Sequence, residues 1–228
     1  MSTRTTIGIL ASLLLSAACS SDSKQTDGGI ADGTGLDGSN ASTASSGELD
    51  WSKGLGGTGS DRGFATAIDA DGNVYVTGYF SDSVQFGGKT LQTVGEYDVF
   101  LASYDKAGDF RWAEQLGTIG SDFGYDLAVD NNGRVLLVGA YSEAMTTPVG
   151  NLPFQGGFWD VLVAAFDNAG NLEWVKGFGS SENDFGQGID VDSSNNIYLT
   201  GYFGGPCQLD GESLQPAGED DVFVASLD

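Results

Sequence analysis

Three aspartates, Asp61, Asp122 and Asp184, recur 61 and 62 residues apart, and each is followed two residues later by a glycine, Gly63, Gly124 and Gly186. Carboxylates repeated at one loop position are the donors that Ca2+ or a cationic ligand requires. The same spacing suits an Asx-type turn entering a strand, and both readings stand at this level. A second series, Asp98, Asp160 and Asp221, stands at strand starts, where a carboxylate caps backbone donors. Asp69-Ala-Asp71-Gly72-Asn73 has the opening spacing of a calcium loop. Its equivalents, Asp130-Asn-Asn-Gly-Arg134 and Asp192-Ser-Ser-Asn-Asn196, keep no common ligand set, and the bidentate Glu is missing. These segments read as hairpin turns. Trp159 is a different kind of candidate. Its equivalents are Tyr97 and Asp220, so the repeat does not demand an aromatic there, and with Phe158 beside it Trp159 is a candidate ligand contact.

Composition removes several chemistries. With no histidine there is no Ser-His-Asp triad, no Cys-His pair and no His-ligated zinc. Two cysteines make neither a disulfide framework nor an all-thiolate zinc site. A net charge of −23 repels nucleic acid. Acidic pairs suited to glycoside chemistry abound, but the sequence singles out none by an apolar setting that would raise a pKa. Catalytic residues are therefore expected to be none, and the chain is expected not to be an enzyme.

The elements that must position these residues repeat as well. Trp51, Trp112 and Trp174 keep the same 61- and 62-residue spacing, as do Gly78, Gly139 and Gly201. Val74 to Phe80 and Asp98 to Tyr104 are rich in β-branched and aromatic residues, Phe110 to Leu116 follows a turn at Lys106-Ala-Gly108, and Phe64 to Asp69 alternates. Val84 to Leu91, matched by Cys207 to Leu214, contains a two-residue hairpin signal at Gly87-Gly88 and predicts a small extra hairpin per unit. Strands apolar on both faces must be covered on both, and stacked four-stranded sheets are propeller blades. The expected fold is all-β: three tandem four-stranded β-propeller-type blades, with repeats at about 51–111, 112–173 and 174–228. Tyr75/Thr77 and Tyr198/Thr200 are more polar than Leu136/Val138, which suits a buried middle blade. The two ends of a linear stack, however, should expose opposite faces.

Residues 1–18 read as an export signal: Arg4 precedes an apolar run, Ile7 to Ala18, too short to span a bilayer. The run ends in Leu15-Ser-Ala-Ala-Cys19, which resembles a bacterial lipobox with Ser16 where an aliphatic residue is usual. The resemblance implies acylation of Cys19 and membrane attachment through an N-terminal lipid. Residues 19–47 are Ser-, Asp- and Gly-rich and read as a tether with a mean reach of roughly 30 Å. Residues 48–228 form the repeat domain. Its submotifs, Gly56-Gly57-Thr-Gly-Ser-Asp61, Ala67 to Gly78 and Asp98-Val-Phe-Leu-Ala102, each followed in order by a closing tryptophan strand, resemble the bacterial SBBP repeat, named for a presumed β-propeller; the Phe-Pro usual after the second strand is absent. The family implies an architecture found in secreted and surface proteins and no general catalytic motif.

The chain stops at Asp228, ahead of the Trp-bearing strand that follows Asp105 and Asp167, while Glu48 to Gly54 matches that strand at the start. Three arrangements are expected from this: an open three-blade stack, a homodimer in which each Glu48–Gly54 strand completes the partner's third blade, or a piece of a longer propeller. The leading functional expectation is an exported, lipid-anchored, non-enzymatic binding or structural module at the cell envelope, at the outer membrane and facing either the periplasm or the surface. It would bind another envelope protein or a glycan, with no nucleic acid. The alternative is a calcium-stabilised adhesion or glycan-binding module, using Asp61, Asp122 and Asp184. A glycoside-active enzyme is the third reading.

Overall fold

The computed structural model describes residues 48–228; the export signal, Cys19 and the 19–47 tether lie outside the described residues. No helix occurs among the described residues. In the first blade, β1 (Gly56–Gly57) is followed by β2 (Arg62–Ile68), β3 (Val74–Phe80), β4 (Ser83–Phe86), β5 (Lys89–Gln92), β6 (Asp98–Tyr104) and β7 (Phe110–Leu116). The second contains β8 (Phe123–Val129), β9 (Val135–Tyr141), β10 (Met145–Thr147), β11 (Gly150–Leu152), β12 (Asp160–Phe166) and β13 (Leu172–Phe178). The third contains β14 (Asp184–Val191), β15 (Ile197–Phe203), β16 (Cys207–Leu209), β17 (Glu212–Leu214) and β18 (Asp221–Leu227). Among the described residues the blade sheets are antiparallel: two have four strands, in the orders β2-β3-β6-β7 and β8-β9-β12-β13, the third, β14-β15-β18, has three, and no sheet closes on itself; β1-β4-β5, β10-β11 and β16-β17 form separate small sheets.

The expectation of three four-stranded blades is thus corrected to two of four strands and one of three. The Glu48–Gly54 segment, expected to be a strand, is irregular here. Only Gly56 and Gly57 pair, with β4. A segment without a neighbouring ladder has no partner for its backbone groups and so does not register as a strand. Its tryptophan is nonetheless seated as its repeat position requires. Trp51 lies over Gly108 as Trp112 lies over Gly170, and at these turn glycines (φ +83° and +90°) a Cβ would come within 2.8 and 2.7 Å of the ring above.

Apolar residues meet in three layers. One, built from Phe80, Val84, Phe86 and Phe100, covers the first face of blade one beneath the β4–β5 hairpin. The second, including Tyr75, Leu101, Leu137 and Leu162, fills the seam between blades one and two, with Met145 and Leu152 of the β10–β11 hairpin inside it. The third, including Leu136, Val163, Leu199 and Phe223, fills the seam between blades two and three and encloses Cys207. The far face of blade three is open, with Val222 and Val224 75% and 77% exposed. The polar pairs anticipated from sequence separate here. Tyr75 and Thr77 are buried under blade two, their hydroxyls bonded to Asp69 Oδ2 and Phe100 O, whereas the equivalent Tyr198 and Thr200 face outward.

Each first strand enters its sheet through an irregularity, at Gly63/Ala65, Gly124/Asp126 and Gly186/Gly188. Opposite it stands Gly78, Gly139 or Gly201, where a Cβ would sit 1.8, 1.9 or 1.9 Å from a carbonyl oxygen of the neighbouring strand. This close approach accounts for the threefold glycine.

Candidate binding surface at the strand-start end

One end of the blades gathers the starts of β2, β8 and β14, the starts of β6, β12 and β18, and the loops between them. Both aspartate series lie there. Asp61 Oδ2 accepts the Gly57 N–H at 2.8 Å, Asp122 Oδ2 the Thr118 N–H at 2.6 Å, and Asp184 Oδ2 the Ser180 N–H at 2.6 Å. Asp122 and Asp184 also accept, through Oδ1, the N–H of Ser142 and of Gly204 just beyond the second strand. Each carboxylate therefore pins the loop four residues before it, and the two in the inter-blade seams pin a second loop as well. In the other series Asp98 accepts from the N–H groups of Val94 and Gly95, Asp160 from Gln155, and Asp221 from Ala217 and Gly218.

Burial in the seams has an electrostatic consequence. Asp122 is pushed up to about 6, chiefly by desolvation and further by the Asp98 charge. Asp160 is pushed up to about 7 by desolvation, with Asp184 adding to the effect. Asp160 Oδ1 has no hydrogen-bond partner, because the single proton of the adjacent Tyr141 hydroxyl is directed to Pro153 O at 2.6 Å. Desolvation also raises Asp98 and Asp184.

The oxygens of Asp61, Asp122 and Asp184 thus act largely within their own loops, and among the described residues no group of three or more His, Cys, Asp or Glu is placed to hold a metal ion. At the opposite end, Asp69 Oδ1 accepts the N–H of Asp71 and Asn73 at 2.9 Å, while Oδ2 takes the Asn73 side chain and the Tyr75 hydroxyl. Asp130 and Asp192 repeat the arrangement, so these segments are hairpin turns closed by their own aspartate.

Trp159 is half-buried. Its ring lies between Phe123 (6.2 Å) and Phe185 (5.2 Å), and its indole N–H donates to Ser121 O at 3.2 Å. Phe158 beside it is 70% exposed. They form one end of a ridge that sequence reading missed. Phe64 meets Tyr79 and Tyr125 at 5.7 and 5.4 Å, Tyr79 meets Tyr97 and Phe123 at 4.9 and 5.2 Å, Tyr125 meets Phe185 at 6.2 Å, and Phe185 meets Tyr202 at 5.0 Å. Nine rings from three blades are connected in this way. The signal lay in the residues flanking Gly63, Gly124 and Gly186. Alternate strand residues share a face, and Phe64, Phe123, Tyr125 and Phe185 occupy four of those six positions.

A family model described as a beta-propeller repeat (SBBP) matches residues 111–142 and 173–202. Each match runs from a Trp-bearing outer strand, β7 or β13, through the first two strands of the next blade. The matched repeats are of the SBBP beta-propeller type. Over 213 residues (77% of this chain) the sequence is 22% identical to an uncharacterized WD repeat-containing protein of Acanthamoeba polyphaga mimivirus. Over 162 residues (67% of this chain) it is 32% identical to the regulatory protein FlaEY of Caulobacter vibrioides. The alignments cover 15% and 17% of those two proteins, so this chain corresponds to a small part of each.

Proposed function

We propose that the chain is an exported, lipid-anchored, non-enzymatic binding or structural module of the cell envelope, held at the outer membrane through Cys19, with the strand-start end of its blades as the binding surface. The observation that carries the binding role is the connected aromatic ridge, which spans all three blades and rests on loops fixed by buried aspartates. The complete absence of histidine and the use of the seam carboxylates as loop caps favour binding over catalysis. Similarity to a protein named as regulatory suits the same role. Metabolic labelling with an alkyne fatty acid tests the anchor. Label and membrane fractionation are expected to disappear together in Cys19→Ser, and label that persists would refute acylation at this residue.

A second reading concerns assembly, and the open face of blade three favours it. Tyr198, Thr200, Val222 and Val224 repeat the residues Tyr75, Thr77, Val99 and Leu101 that blade one buries against blade two. Blade one presents Leu55, Val76, Val84 and Phe100 around a small cavity on its opposite side. In this proposal a second copy of the chain supplies the covering blade, and its Trp51 segment becomes the fourth strand of blade three. Sedimentation equilibrium at micromolar concentration is expected to give a dimer that Val224→Glu dissociates; a monomer would refute the assembly and leave the binding role intact.

A further inference from the structure

The ridge has a direction and a charge. Its outermost rings are the most exposed, Phe64 at 45% and Phe158 at 70%, and the seven between them present part of each ring to solvent. The route Phe64–Tyr125–Phe185–Trp159–Phe158 advances in steps of 5.4, 6.2, 5.2 and 5.9 Å. A contour of about 23 Å matches about seven residues of extended polypeptide.

Exposed carboxylates border the ridge. Glu96 reaches Ser121, whose carbonyl holds the Trp159 indole, at 3.2 Å. Glu143 flanks Gly120, and Glu182 packs beside Gly157 and Gly204. Asp220 lies close enough to Tyr202 to raise its phenol pKa, after the larger effect of burial, and Glu219 precedes it. Arg62, paired with Tyr79 across β2 and β3, is the opposing charge on this edge. Among the described residues the three ion pairs, Lys89–Glu114, Arg134–Asp130 and Lys176–Asp210, involve none of the ridge residues or the carboxylates beside them.

Tyrosine and tryptophan faces attract guanidinium and ammonium groups, and more strongly once the cation is desolvated. Carboxylates beside such rings raise the local concentration of cations and speed their arrival. A neutral glycan would stack on the rings and donate hydroxyls to the carboxylates, but would gain no charge pairing from them. We propose that this ridge docks an extended, arginine-rich peptide segment, whose guanidinium groups stack on successive rings and pair with Glu96, Glu143, Glu182, Glu219 and Asp220. The proposal names a partner class for the binding-module reading and rests on that reading, but it requires neither the lipid anchor nor the dimer.

The test uses the full chain, a fluorescein-labelled octa-arginine peptide and fluorescence anisotropy at 150 mM NaCl. Phe64→Ala combined with Phe158→Ala leaves the net charge unchanged and removes only exposed rings; it is expected to weaken binding at least fivefold. Glu182→Gln with Asp220→Asn is expected to weaken binding to a similar degree and to flatten its salt dependence. Asp71→Asn with Asp109→Asn removes the same charge at the opposite end and is expected to leave affinity within twofold. The proposal is overturned if the peptide does not bind, if the ring variant binds as the parent does, or if the two charge variants behave alike, which would indicate attraction to an acidic surface at large. Displacement of the peptide by cellohexaose would also overturn it while leaving the binding-module reading standing. Cleavage of either probe would overturn that reading instead.

Discussion

Asp160 offers the sharpest test of how the seams are built. Its carboxylate is fully buried at the start of β12, on the strand face of Tyr141 and Leu162, one oxygen lacks a partner, and its pKa is pushed from the ordinary 3.8 up to about 7. Asp122, just before β8, is raised to about 6. A native pKa above the unfolded value means that the folded state holds more protons than the unfolded chain between about pH 4 and pH 7. Stability is then greatest below the unfolded value and falls as pH rises through the window. The gap between 3.8 and about 7 corresponds to about 4 kcal/mol for Asp160, and the gap to about 6 to about 3 kcal/mol for Asp122. The raised pKa values of Asp98 and Asp184 act in the same sense. Asp69, Asp167 and Asp192, whose turn hydrogen bonds hold their carboxyls below the ordinary value, lose stability only as pH falls through those lowered values, outside this window. Asp160→Asn keeps the shape and an acceptor for the Gln155 N–H but removes the ionisation. Urea unfolding followed by tryptophan fluorescence should find variant and parent close at pH 4.5. At pH 8 the variant should be more stable, by up to about 4 kcal/mol, with unchanged m-values. A difference that does not depend on pH, or a parent that gains stability between pH 4 and pH 7, would refute the account of the seams.

Three further outcomes are expected. Gly139→Ala puts a methyl 1.9 Å from Phe123 O, against backbone that cannot yield, and should cost more than about 2 kcal/mol in chemical denaturation; a loss below about 1 kcal/mol would show that the strand irregularity is not rigid. Burial, with the Asp184 charge adding, pushes the Cys207 thiol up to about 11. In a Cys19→Ser chain at pH 8 it should therefore resist Ellman's reagent until urea exposes it, whereas prompt labelling of the native protein would place it outside the seam. Calcium and EDTA should leave the melting temperature unchanged, because Asp61, Asp122 and Asp184 serve their own loops. A rise of several degrees with calcium would restore the calcium-stabilised reading.

The local elements were legible in the sequence because each is encoded locally. Strands Val74–Phe80, Asp98–Tyr104 and Phe110–Leu116, the extra hairpins and the aspartate-closed turns all follow from alternation, β-branching and Asp/Gly spacing over fewer than ten residues. The repeat itself follows from comparison of the chain with itself. Glu48–Gly54 is irregular in the single chain because a strand is a property of a ladder and not of a segment; the same residue pattern that pairs in β13 has no neighbour here. That the two ends of a linear stack expose opposite faces was legible, but that Tyr75 is the buried residue and Tyr198 the exposed one was not. The two residues are equivalent in sequence and differ only in whether a blade follows.

By itself, the sequence determined a threefold β repeat with aspartate-closed turns, a hairpin in each unit and no histidine chemistry. Only the tertiary structure decided which aspartates are buried in seams with raised pKa values, and that aromatics from non-equivalent positions, Phe64, Tyr97, Phe123 and Trp159 among them, meet in one ridge. The physical reason is distance. Turns and alternation act between neighbours in the chain, whereas desolvation and ring contact depend on which blade lies against which.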